Sequence, residues 1–310
     1  MLYAWNLIGH KKQLLSLEND LKQGVFSHAY FFHGPAQIGK FTAAFLMAKI
    51  ILCSHQFCHR CQDCKSLELG IHPDFILMKD EGGTIKIDEI RDLISKIHLT
   101  PQGKRRVVLI QNLDRMPTEA QNAFLKTLEE PPENTMFILT SSEPKKVLPT
   151  IVSRVRSLEF SIIGDDELKG ALKSRFPEIA NLDEVIQMAQ GRAGLAVELL
   201  EHPVKMSEYR EFFYRLEGFL KNNNLISKFA FVDDIEKNPE KMELFFEVMA
   251  ALLRKMVENK GTHDERGSPI PYDVTKIHEL FEKLMETRYL ISRNVNKKLA
   301  LENFFLETER

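Results

Sequence analysis

The sequence predicts an α/β fold: a parallel-sheet domain of the phosphate-loop type, followed by a short helical region and a longer all-helical one. Three observations predict it. Residues 106–140 read as strand, helix, strand, the βαβ pattern that makes a sheet parallel and covers it with helices. Residues 29–52 read as strand, glycine loop, helix. After Phe160 the strand signal stops, and only helical periodicity continues to the last residue.

The first observation organises the rest. Val107-Val108-Leu109-Ile110 is a short apolar run suited to a strand buried on both faces. The helix after it is expected to start at Thr118, as N-cap, with Gln121 as capping-box partner. Ala120, Ala123, Phe124, Thr127 and Leu128 form its buried stripe, and Glu130-Pro131-Pro132 ends it. Met136–Thr140 is the second strand, followed by a short segment at Val147–Val152 and then Ser153-Arg154. In such sheets ligands sit beyond the carboxyl ends of the strands. Gln111 and Asn112 stand after Ile110, where a nucleoside triphosphatase carries acids.

Taken from its start, the chain offers an amphipathic helix over Leu7–Gln23 and a strand at Ala29–Phe32. Gly34-Pro35-Ala36-Gln37-Ile38-Gly39-Lys40 follows, and then an apolar helix from Phe41 to Leu52. Strand, GxxxxGK and helix together form the context in which this motif cradles phosphate. Glycines let backbone N–H groups surround the oxygens, the helix N-terminus adds its dipole, and Lys40 reaches the outer phosphates. The next position departs from the pattern: Phe41 stands where a Ser or Thr hydroxyl would bind Mg²⁺. Thr42 is one residue late, turned by about 100° on a helix of 3.6 residues per turn. Two readings follow for Gly34, Gly39, Lys40 and Phe41: a loop kept for its shape, or one with residual nucleotide binding.

All four cysteines lie close together, as Cys53, Cys58, Cys61 and Cys64. Thiolates spaced C-x4-C-x2-C-x2-C favour a tetrahedral structural Zn²⁺. An iron–sulfur cluster is the rival, but the Cys-Pro that closes a ferredoxin run is missing. Asp74–Met78 reads as a strand, and Asp88–Lys96 as a helix capped by an acid. Beyond Phe160, short helices are expected at Asp165–Ser174, Asn181–Gln190 and Ala193–His202. Longer ones are expected at Tyr209–Lys221, Met242–Asn259, Val274–Arg288 and Lys297–Phe305, with a polar loop at Lys260–Pro271. The expected domains are therefore 1–163, 164–206 and 207–310, with the cysteine module at 53–64.

Composition narrows the function. The 310 residues are 44% hydrophobic and carry a net charge of −2, which is neither a disordered composition nor a strongly basic nucleic-acid coat. No signal peptide and no membrane span are read, so a cytoplasmic protein is expected. Crowded cysteines in such a chain point to metal rather than disulfides.

Four features together resemble a known family: His28-Ala29-Tyr30 before the loop, the four-cysteine insert, Leu125-Lys126-Thr127-Leu128-Glu129-Glu130-Pro131-Pro132, and Ser153-Arg154. They are similar to the delta-prime subunits of bacterial DNA polymerase III clamp loaders, which are AAA+ proteins. The resemblance is strong over about the first 205 residues and architectural beyond them. It implies an AAA+ domain, a helical lid and a helical collar in a hetero-pentamer with gamma/tau and delta subunits. That ring opens a sliding clamp and loads it onto primed DNA.

The resemblance also implies roles for single residues. Active relatives place an arginine on the γ-phosphate near Gly191–Ala196, where this chain aligns Gly194. The arginine of Ser-Arg-Cys enters a neighbouring subunit's ATP site. Here that arginine is Arg154, followed by Val155 rather than Cys. Arg156 is the weaker candidate, and a surface arginine paired with a local carboxylate is the other reading. Thr140 and Ser141 stand at a sensor position and are read as local hydrogen-bonding residues. With the Mg²⁺ hydroxyl, the acids and the lid arginine all absent, the expected function is a ring subunit that does not hydrolyse ATP. An active motor-type AAA+ ATPase is the alternative, and a zinc-dependent nucleic-acid adaptor the third reading.

Overall fold

The computed structural model describes residues 3, 5–55, 58–79, 83–179, 181–222, 224–258, 272–293 and 295–308. The loop expected at 260–271 lies outside these residues. The chain divides into two compact units, Met1–Glu198 and Leu199–Arg310.

The first unit is built on five parallel strands: β1 (Ala29–His33), β2 (Phe75–Met78), β3 (Arg106–Ile110), β4 (Thr135–Ser141) and β5 (Arg156–Glu159). They lie in the order β2-β3-β4-β1-β5, so the chain runs from β1 out to the β2 edge, returns through β3 and β4, and passes β1 to reach β5. Register follows the βαβ logic: Val107 pairs with Met136, Ile110 with Leu139, and Ala29 with Phe137. β5 has no apolar run. It is recruited by pairing with β1, Tyr30 against Arg156, and carries the exposure pattern of an edge.

Side chains alternate along each strand and feed two cores. Tyr30, Phe32, Val107, Leu109, Met136 and Ile138 pack on one face with Leu14 and Leu17 of α1 (Lys11–Gln23) and with Ala43, Ala44, Met47 and Ala48 of α2 (Lys40–Leu52). Leu67, from α3 (Gln62–Glu68), joins this face. Ala29, Phe31, Val108, Ile110, Phe137 and Leu139 pack on the other face. Their partners are Ile90, Leu93 and Ile97 of α4 (Ile87–Ile97), Phe124 and Leu128 of α5 (Thr118–Glu129), and Ile151 of α6 (Pro149–Val152). This two-sided burial explains why β3 and β4 read as unbroken apolar runs.

Two helix starts differ from the sequence reading. Pro117, not Thr118, occupies the N-cap of α5 and makes no side-chain cap. Gln121 is committed elsewhere: its amide nitrogen donates to Met116 O and Lys146 O, and its amide oxygen accepts from Leu148 N. It thus ties α5 to the segment leading into α6. Lys86, not an acid, precedes α4, and the Glu89 carboxylate accepts the Lys86 N–H at 2.6 Å. The unit also holds α7 (Asp165–Arg175), α8 (Leu182–Ala189) and the start of α9 (Ala193–Glu201).

The second unit is helical: α10 (Pro203–Lys221), α11 (Leu225–Ile235), α12 (Pro239–Glu258), α13 (Val274–Ser292) and α14 (Lys297–Glu307). Its centre is a cluster of rings in which Phe231 and Phe245 lie 5.1–6.3 Å from their aromatic neighbours, edge to face or tilted. Lys228 is fully buried there, its ammonium donating to Thr308 Oγ1. Among the described residues, no helix is long and apolar enough to cross a membrane.

Candidate functional site

The carboxyl ends of β1, β3 and β4 bring the predicted phosphate-loop residues together. Gly34 adopts φ 139° and Gly39 φ 98°, backbone conformations that L side chains rarely adopt. At Gly34 the reason is also close approach: a Cβ there would lie 1.9 Å from Phe160 O. Lys40, the first residue of α2, is 5% exposed. Its ammonium donates to Gly34 O at 2.8 Å, to Pro35 O at 2.5 Å and to Ser142 Oγ at 3.4 Å. The lysine therefore closes on its own loop. Burial lowers its pKa to about 8, with Asp114 pulling the other way.

Phe41 stacks on Phe45 at 6.1 Å, and Phe45 in turn meets Phe75. Position 41 thus belongs to the apolar surface of α2 and offers no oxygen to a metal. After β3, Gln111 continues the sheet by donating its N–H to Met78 O. Asn112 turns left-handed at φ 54°, donates its N–H to Thr140 Oγ1 at 3.0 Å, and accepts from Ser142 Oγ at 3.5 Å. Ser141 Oγ accepts from Glu143 N. Thr140 and Ser141 are both buried and make local hydrogen bonds.

Sequence spacing undervalues Asp114. A single 3-10 turn, Leu113–Arg115, folds it back so that its carboxylate accepts the Ser142 N–H at 3.0 Å and acts on Lys40. The signal that could have found it is Asn112, a residue that readily takes the left-handed bend. Asp114 acts on the lysine by charge and is itself held by a backbone donor.

The start of α9 closes over the loop. Leu195 N–H donates to Gln37 O at 3.0 Å, and a Cβ on Gly194 would sit 2.5 Å from the same oxygen. Any side chain at 194 would collide with the loop, so the position is glycine for steric reasons. Arg192 is buried and donates through Nε to Ala189 O. His10 Nε2 lies 2.9 Å from Ile38 O, and burial lowers the His10 pKa.

The four cysteines converge. The sulfurs of Cys53, Cys58, Cys61 and Cys64 all lie within 4.8 Å of one another. Cys53 Sγ is 3.7 Å from Cys61 Sγ and 3.5 Å from Cys64 Sγ. Sulfurs around a tetrahedral Zn²⁺ at 2.3 Å stand about 3.8 Å apart, far beyond a disulfide at about 2.05 Å. The cysteines are free, and backbone N–H groups point at their sulfurs: His55 to Cys53, Cys61 to Cys58, and Cys64 to Cys61. Such donors favour thiolates. The Arg60 and Cys61 N–H groups bring the Cys58 thiol down to about 6, whereas burial and the Cys53 sulfur push Cys64 up to about 12. The cluster can hold a metal ion, with all four protein ligands in place and no position reserved for chemistry.

Arg154 follows α6 and is half-buried, with its guanidinium held from several sides. Its Nε and Nη2 reach Glu129 Oε1 at 2.8 and 2.6 Å, and its Nη1 donates to Thr150 O at 2.8 Å and Ser153 Oγ at 3.2 Å. The local carboxylate pairing weighed in the sequence is present, and its partner is the last residue of α5. Arg156 points elsewhere: it pairs with Asp20, donates to Ser16 Oγ, and lies over the Tyr30 ring. Tyr30 donates to the same Asp20 carboxylate, and burial raises its phenol to about 12. Arg156 is thus part of the packing between α1 and the sheet.

The family described as DNA polymerase III, delta subunit, matches residues 9–163, half of the chain. Subunit delta' of DNA polymerase III from Bacillus subtilis is 36% identical over 148 residues, 46% of this chain and 45% of that protein. The delta' subunit from Pseudomonas aeruginosa is 40% identical over 135 residues, 41% of each. Subunit tau from Bacillus subtilis is 33% identical over 213 residues, 65% of this chain and 38% of that protein. The chain spans about half or less of the length of these relatives.

Proposed function

The chain belongs to the delta-prime type of DNA polymerase III clamp-loader subunits, and on that premise we propose that it is a ring member that does not hydrolyse ATP itself. The carrying observation is the state of its own phosphate loop. Lys40 is spent on the carbonyls of Gly34 and Pro35, and amides stand where hydrolysis needs carboxylates. Neutral amides neither take a proton from water near pH 7 nor neutralise a metal ion. Asp114, the nearest acid, is engaged by the Ser142 N–H.

In this reading the useful group is Arg154, exposed at the end of a different segment. It enters the ATP site of a neighbouring gamma/tau subunit and stabilises charge on the transferred phosphoryl group. The partners are the gamma/tau and delta subunits of a hetero-pentamer acting on the sliding clamp and primed DNA in the cytoplasm. Residues 164–206 act as a lid region and 207–310 as the collar that joins the ring. Cys53, Cys58, Cys61 and Cys64 would hold one structural Zn²⁺, which would tie a loop that lacks a core of its own.

The test is ATP turnover with Mg²⁺. The isolated chain is expected to show none above background, and elemental analysis is expected to find one zinc per chain. Hydrolysis by the isolated chain that disappears on Lys40→Ala would overturn the reading in favour of an active motor subunit.

A further inference from the structure

Glu129 occupies a position its own helix does not favour. It is the last residue of α5, where the peptide dipoles end negative and an acid is disfavoured. Another acid, Glu130, follows it. Cross-helix pairing does not account for it as a stability device either. Solvated ion pairs contribute little to stability, and here the side chains of Arg154 and Glu129 are 36% and 48% exposed. What the pair does accomplish is geometric.

One carboxylate oxygen, Oε1, takes both Nε and Nη2, so Glu129 grips the side edge of the guanidinium. Thr150 O takes Nη1. Both anchors are rigid. α5 is held by Phe124 and Leu128 and stopped by Pro131 and Pro132; α6 is held by Ile151. A free arginine carries rotamer entropy that must be lost before it can grip a phosphate. Here the loss is met before any ligand arrives. Nη2 belongs to both edges: one of its N–H groups meets Glu129 on the side edge and the other points along the end edge, while Nη1 is held by the neutral Thr150 carbonyl and the Ser153 hydroxyl.

We propose that Glu129 is the positioning residue for Arg154, fixing the side edge of its guanidinium so that the end edge is presented to the outer phosphate of a nucleoside triphosphate bound by a neighbouring subunit. The proposal rests on the reading of Arg154 as an arginine acting in trans. It assigns the carboxylate an orienting role, because a single oxygen on the side edge leaves the second N–H of Nη2 directed along the end edge.

The experiment uses the reconstituted loader carrying wild-type chain, E129Q, R154A or both, and measures kcat and KM for ATP. E129Q keeps the shape of the side chain and removes its charge. It is expected to lower the Arg154-dependent part of kcat by roughly 3- to 30-fold with KM unchanged, and to have no further effect when R154A is already present. Thermal melting of the isolated E129Q chain should match wild type to within about 4 °C. If R154A itself leaves turnover unchanged, the in-trans reading of Arg154 falls. If R154A lowers turnover and E129Q does not, or E129Q raises it, or the two losses multiply, the positioning role falls alone.

Discussion

Two cations at opposite ends of the sheet domain's logic meet opposite fates. Lys40, in the motif that the sequence advertises most loudly, is buried and donates to the backbone of its own loop. Arg154, in a four-residue helix's exit, is left at the surface with its guanidinium ordered from two sides. A lysine that satisfies carbonyls of its own chain has no need of a phosphate. An arginine fixed by Glu129 and Thr150 while still exposed is organised for something outside the chain. The difference teaches that a motif's presence and its availability are separate properties.

The sharpest way to break this contrast is to remove each cation in the reconstituted loader. Arg154→Ala is expected to leave the fold intact and to slow the ATP site that receives it on the order of 10³-fold, a loss of about 4 kcal/mol of transition-state stabilisation. Lys40→Ala is expected to leave turnover of the same complex near wild type. Equal losses from both would make Lys40 a working ligand and dissolve the distinction.

A smaller effect tests whether the loop is closed by the chain itself. Gly194→Ala would place a methyl 2.5 Å from Gln37 O and 2.9 Å from Gln37 C, both backbone atoms, and would break the Leu195 N–H bond to that oxygen. Overpacking of this kind costs about 1–3 kcal/mol, and calorimetry should show the sheet unit melting several degrees lower. An unchanged melting temperature would mean that α9 does not press on the loop.

Much of this was legible in the chain. The runs at Val107–Ile110 and Met136–Thr140 gave two central strands because burial on both faces leaves a continuous apolar signature. The cysteine spacing gave the cluster because four ligands within a dozen residues have few ways to avoid each other. The edge strand β5 was not legible: Arg156, Ser157 and Glu159 alternate outward, and only pairing with β1 makes them a strand. The helix α3 was hidden for a similar reason, since its order follows from the cysteines rather than from periodicity. Gln121 misled because a capping-box pattern and a tertiary bridge use the same amide. Asp114 carries no signal of its own in the sequence, because the turn at Leu113–Arg115 is what brings its carboxylate to Ser142. Glu129 carried no sequence signal distinguishing it from Glu130; only the distance to Arg154 does.

The effect spread most thinly over the measured range concerns the proton on Lys40. Burial lowers its pKa from 10.5 to about 8 in the folded chain. Below pH 8 both folded and unfolded chains hold the proton, so the cost of burying the ammonium is constant. Between pH 8 and 10.5 the unfolded chain binds more proton than the folded one, and stability must therefore rise with pH through this group. The slope cannot exceed about 1.4 kcal/mol per pH unit for a single proton. Lys40→Met removes the group, so the stability of wild type minus that of the variant should increase from pH 8 upward and be level below it. Trp5 offers the readout: it is the chain's single tryptophan, 3% exposed in the sheet unit, so its fluorescence in urea follows unfolding of the part that contains Lys40. A difference that stays level across this range would mean that the ammonium keeps its water, and the loop would then be open to a phosphate after all.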